Sequence, residues 1–183
     1  MEFQAAVEFA FKNDWPLNIA VTVTWSALVQ AGEHNEGHCL GRDERSRESY
    51  LRKELARCRP NPSVPFVAIW GRDMGATLGA HTHLSLYWPS QHLGQLVVVL
   101  ERVTGSTAEF VRQPYTQDVV ARSKCGGWQI NMSCRGDMQE SARTWAGYIS
   151  EQHAKHPALP TIKGQAFGVS RAIGKTAREA TGV

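Results

Sequence analysis

The alternation of apolar and polar positions divides the chain into helices and strands with no internal repeat. Phe3, Val7 and Phe11 recur at helical spacing and predict a helix over residues 2–12. Residues 18–25, rich in β-branched side chains and entered after Asp14 and Pro16, predict a strand. A charge-dense stretch at 43–58, stopped before Pro60 and Pro62, predicts a second helix. Residues 65–72 and 81–88 predict two strands joined through the glycine-containing segment 71–79. Beyond Pro89 and Ser90, Leu93, Leu96, Val97 and Leu100 share one helical face. Short strands follow near 109–112, 118–123 and 128–132. The tail of the pattern is a helix at 139–155, a last strand at 165–170 and a basic stretch over 171–183. Strands and helices in this order predict an α+β domain in which helices lie mainly on one face of an antiparallel sheet. No composition shift or Pro/Gly/Ser linker divides it, so a single domain over 1–183 is expected, with its core at about 16–175.

Composition narrows the function classes only a little. Hydrophobic residues make up 42% of the chain, yet no run of about 18 apolar residues occurs, so no membrane-spanning helix and no membrane partner are expected. Met1 to Gln4 lack the basic and apolar regions of a signal peptide, and the expected location is the cytoplasm. Cys39, Cys58, Cys125 and Cys134 show no CxxC spacing, which fits reduced thiols there. His34, His38 and Cys39 lack a fourth ligand at zinc-site spacing. A net charge of +3 permits nucleic-acid binding without requiring it. Arg45, Arg47, Arg52, Lys53, Arg57 and Arg59 alternate with Asp43, Glu44, Glu48 and Glu54, a pattern usual for a solvated helix face.

The chemistry centres on His81-Thr82-His83. On a strand, residues i and i+2 project from one face, so both imidazoles can reach one divalent cation. Thr82 points to the opposite face, and its hydroxyl needs a partner if it is buried. Three further segments accompany the pair: Val21-Thr22-Val23-Thr24 upstream, Trp145-Ala146-Gly147-Tyr148-Ile149-Ser150-Glu151-Gln152 downstream, and Gly168-Val169-Ser170-Arg171 after that.

In order and spacing these segments resemble the motifs of HUH endonucleases, the nicking domains of rolling-circle replication initiators of plasmid and filamentous-phage type. The resemblance implies a ferredoxin-like or RRM-like sheet with the histidines on a central strand. It implies Tyr148 as the nucleophile and His81 and His83 as metal ligands for Mg²⁺ or Mn²⁺. Asp73, eight residues before His81, corresponds to an acidic third ligand; Gln152 and Glu151 are the alternates, drawn from the tyrosine helix. The implied reaction nicks and rejoins single-stranded or hairpin origin DNA through a 5′-phosphotyrosine link. Phenols are ordinarily protonated at neutral pH, so the tyrosine must be activated by a cation or a neighbouring base. Lys155, Arg171 and Lys175 are candidate phosphate contacts, and Trp128 a stacking platform. The chain departs from the common pattern in having Thr82 between the histidines and Glu151 where a lysine usually follows the tyrosine. With no second tyrosine one turn from Tyr148, a single-tyrosine enzyme is implied; Tyr87 is the reserve nucleophile. The chain has no Walker-type loop, so any helicase would be a separate host protein.

Other function classes are weighed against the same residues. A 2H-type phosphoesterase needs two His-Ser/Thr motifs, and only His83-Leu84-Ser85-Leu86 supplies one. Relaxases cluster three histidines, which this chain lacks around residue 81. A non-catalytic RRM-like single-strand-binding or replication-accessory domain would keep the sheet and lose the metal chemistry. A single-tyrosine transposase would keep both.

Overall fold

A computed structural model describes residues 2–30, 44–75, 79–110, 119–132, 138–155 and 167–182. Helix α1 spans Glu2–Lys12, and strand β1, Ile19–Thr24, runs straight into the six-residue helix α2, Trp25–Gln30. Helix α3, Glu44–Arg57, precedes strands β2, Ala68–Gly75, and β3, Gly79–Leu86. A short 3₁₀ turn leads into α4, Leu93–Thr104, which ends on Gly105 in the left-handed conformation, its amide donating to the Glu101 carbonyl at 2.7 Å. Strands β4, Ala108–Phe110, β5, Val119–Ser123, and β6, Trp128–Met132, come next. The chain closes with α5, Met138–Lys155, β7, Phe167–Val169, a 3₁₀ turn at Arg171–Ile173 and α6, Lys175–Ala180.

The strands form one seven-stranded sheet in the order β4-β5-β6-β1-β3-β2-β7, with every described pairing antiparallel. This is a mixed α+β architecture consistent with the ferredoxin-like or RRM-like class. The histidine strand β3 sits near the centre, between β1 and β2.

The helices divide between the two sheet faces instead of gathering on one. Side-chain alternation explains why. Ile19, Val21 and Val23 of β1, Ala68 and Trp70 of β2, and Leu84 and Leu86 of β3 point to one face, where α2, α3 and α4 cover them. Trp25, Leu28, Leu51, Leu55, Leu96, Leu100 and Trp128 complete this first core. Burying each such side chain contributes about 1.5–3 kcal/mol. Ile69 and the neighbouring Val67 face the other way and meet α1 and α5, with Phe3, Ala6, Val7, Ala10, Ala142, Ala146, Ile149 and Ile173 forming a second core. Two apolar faces on one sheet require two covers.

The charge-dense α3 is not a plain solvated face. Glu48 is buried and pairs with Arg52 and, at 3.7 Å, with the buried Arg72 of β2. Glu54 is also buried and takes Arg57 and Arg102, at 2.7 and 2.8 Å. Thr82 finds the partner its burial demands: the Trp25 indole nitrogen donates to its hydroxyl at 2.8 Å, and Thr82 is fully buried. Removing one member would strand the other at a cost of about 1–3 kcal/mol.

Candidate functional site

The second face of β3 carries the two histidines. Register pairs Thr22 of β1 and Gly71 of β2 with His83, and Thr24 and Asp73 with His81, giving two adjacent rows across three strands. Directly paired residues in an antiparallel sheet share a face, so Thr22, Thr24, His81, His83 and Asp73 all lie on the side covered by α5. Asp73 is a strand residue at 8% exposure, not an exposed loop aspartate.

Second contacts of each ligand candidate set its orientation. His81 Nδ1 lies 2.8 Å from the Gly79 carbonyl, which can only accept, so Nδ1 carries a proton. The His81 Nε2 stands 3.5 Å from Asp73 Oδ2. The other carboxylate oxygen of Asp73 accepts from the Met74 amide at 2.7 Å. His83 Nδ1 is 3.1 Å from the Thr22 hydroxyl, and its Nε2 is buried with no hydrogen-bond partner. Burial, reinforced by the neighbouring His81, pushes the His83 imidazole down to about 3, so the ring is neutral.

Helix α5 brings the aromatic half. Trp145 and Tyr148, three residues apart on one helical face, stack with ring centroids 5.1 Å apart and planes 12° from parallel. Both meet the His83 ring edge-on, at 5.5 and 5.2 Å, and His83 meets His81 in the same way at 4.7 Å. His81 and His83 are each 5% exposed, whereas Tyr148 is 37% exposed and stands at the rim. Gly71 makes this closeness possible. A Cβ at Gly71 would lie 2.5 Å from Ile149 Cγ2, so any larger residue would push α5 off the histidine row.

Asp73, His81, His83 and Tyr148 are thus gathered on one side of the sheet. Among the described residues no group of three His, Cys, Asp or Glu side chains is placed so that it could hold a metal ion. The face still offers two imidazoles and one carboxylate, donor types that divalent cations take, and the His83 Nε2 is costly to leave buried without a partner. Glu151, Gln152 and Lys155 belong to the last turns of α5, and their side chains lie outside the described residues. So do His34, His38 and Cys39.

Trp128 requires correction. It is 1% exposed in the first core, with its indole nitrogen donating to Ser106 Oγ at 2.8 Å, and no ring face remains for a base. The alternation of β6 explains this, since Trp128 and Ile130 point inward while Gln129 is exposed. Tyr87 packs partly buried against the second core. Arg171 and Lys175 are exposed, the latter 3.6 Å from Glu179. Trp145 and Gly71 are positions of this cluster to which the sequence alone assigns no part. The signal for Gly71 is its place opposite His83, which becomes readable once β2 and β3 are paired.

Among the described residues no helix is long and apolar enough to cross a membrane. Comparison of the chain with protein-family models, with curated proteins and with solved structures finds no match.

Proposed function

We propose that the chain is a metal-dependent endonuclease of HUH type that nicks and rejoins single-stranded DNA, acting in the cytoplasm to initiate rolling-circle replication of a plasmid or phage. The observation that supports this reading best is the pairing of an orphaned His83 Nε2 with the rim-exposed Tyr148 ring 5.2 Å from the His83 ring. A structural histidine–aromatic cluster has no use for an exposed phenol next to an unsatisfied nitrogen.

His81, His83 and Asp73 would hold Mg²⁺ or Mn²⁺. Bound there, the cation supplies polarisation of a phosphate oxygen and neutralisation of the charge that develops on it. The Tyr148 oxygen attacks phosphorus in line with the departing 3′ oxygen. The tyrosine–phosphorus bond forms as the bond to the 3′ oxygen breaks. The phenolic proton leaves to solvent, and the 3′ oxygen takes one up. The 5′-phosphotyrosine link conserves the bond energy, so attack by a 3′-hydroxyl reverses the reaction without ATP. Trp145, stacked on Tyr148, restricts the phenol's orientation. Hairpin origin DNA is the expected substrate form and a host helicase the expected partner.

Incubation with labelled origin-like oligonucleotides and Mn²⁺ tests the reading on a denaturing gel. Wild type should give a covalent protein–DNA adduct, abolished by EDTA and by Tyr148→Phe. His83→Ala should lower the adduct by more than the roughly 10–100-fold typical of losing an outer-shell partner of a metal ligand. Strands bound but left intact across many sequences would instead establish the single-strand-binding module. Preference for element-end hairpins over origin hairpins would mark a transposase.

A further inference from the structure

On the face of β2 opposite the histidine row lies a cleft of about 550 Å³ between α3 and the β2–β7 edge. Trp70, adjacent in sequence to Gly71 but pointing the other way, lines it together with Phe66. Three cations border the cleft from two separate elements: Arg52 and Lys53 from α3, and Arg171 from the 3₁₀ turn after β7. No acidic residue lines it.

The cations are built in to different degrees. Arg52 lies over Trp70, its guanidinium carbon 4.1 Å from the ring centroid, and its Nε is paired with Glu48. Glu48 is itself buried and shared with Arg72. The Arg52 fork is therefore held at the cleft wall, and its terminal nitrogens have no hydrogen-bond partner among the described residues. Lys53 and Arg171 are exposed, and neither has an ion-pair partner among the described residues. Uncompensated like charges around one concavity repel each other and favour an anion.

We infer that this cleft is a second nucleic-acid contact, holding backbone phosphates of the single strand whose nick site lies on the far face of the sheet. The inference rests on the nicking reading for the identity of that strand. Charge selects phosphate, and the aromatic floor of Phe66 and Trp70 suits a nucleic acid better than a bare polyanion. A single strand is favoured over a duplex, because the two sites lie on opposite sides of one strand and the ligand must turn round the sheet edge. Duplex DNA, with a persistence length of about 150 base pairs, does not make such a turn. The cleft would set affinity and leave the chemical step alone.

Fluorescence anisotropy of the protein in EDTA, which prevents cleavage, tests this with labelled single strands of short and long length. Lys53→Glu/Arg171→Glu should weaken binding of the long strand by about tenfold or more. It should also flatten the dependence of log affinity on log salt by roughly 0.7 for each phosphate no longer neutralised. Binding of a short strand confined to the nick site should be unchanged by Lys53→Glu alone. The control is Lys12→Glu/Lys124→Glu, which makes the same change of charge at exposed positions away from the cleft. An equal loss in the control, or an equal loss on short and long strands, would overturn the cleft as a discrete site. So would displacement of the long strand by ATP or poly-glutamate as effectively as by unlabelled strand, which would assign the cleft to mononucleotides or acidic peptides. Wild-type protein that binds no single strand at all would remove the nicking reading together with this one. Wild-type binding left intact by the double variant would remove the cleft alone.

Discussion

A buried, neutral imidazole is the residue on which the proposed chemistry turns, and its titration has a readable sign. The folded His83 titrates near 3, well below the roughly 6.5 of a free imidazole. Between those values the unfolded chain holds a proton that the folded chain rejects, so stability is complete above about pH 6.5 and declines as pH falls toward 3. Each pH unit in that window removes up to about 1.4 kcal/mol through this one group. Urea unfolding at pH 7 and pH 5 should show the loss in wild type and a smaller one in His83→Gln; equal losses would refute His83 as the source. At this scale the sequence carries much of the candidate site. The histidine pair, Asp73 and Tyr148 follow from period-two alternation, from spacing and from a family likeness, and the structure gathers them. Trp128 escapes such reasoning because alternation identifies two faces of a strand without saying which is covered. The buried Glu48 and Glu54 are hidden for a similar reason, since a mixed charge run looks alike whether it meets water or partners across the sheet.

Between elements, the decisive contact is α5 against β2. Gly71→Ala forces its new methyl into Ile149 and should cost about 1–3 kcal/mol as the helix shifts. Moving Tyr148 relative to His83 should also cut adduct formation by about 100-fold, the penalty expected for misplacement on the scale of 1 Å. Ile149→Ala in the same chain makes room for the methyl and should restore a good part of both quantities. A double-mutant cycle in thermal unfolding and in adduct yield measures that coupling. Most elements are legible in the sequence, because α1, α4 and α5 have long periodic faces and β1, β5 and β6 alternate or are β-branched. Helix α2 is not, since six residues directly after Thr24 are too few to show a period. Helix α6 is equally short, and its sequence shows only a basic tail.

Across the whole molecule, the two cores answer for different halves of the site. The apolar side of β3 is locked into the larger core beneath α2, α3 and α4, whereas α5 belongs with α1 and α6 in the smaller one. Periodicity reveals that a face is buried but not against what, so this partition is invisible in the sequence. Native-state hydrogen exchange should find α1 and α5 opening together at lower free energy than the amides of β1 and β3. Exchange of all four through one global event would contradict it. On the proposed nicking reading, such a hierarchy would let the phenol-bearing arm swing out with a captured DNA end while the histidine strand stays fixed, so rejoining would resemble a latch returning to its strike plate.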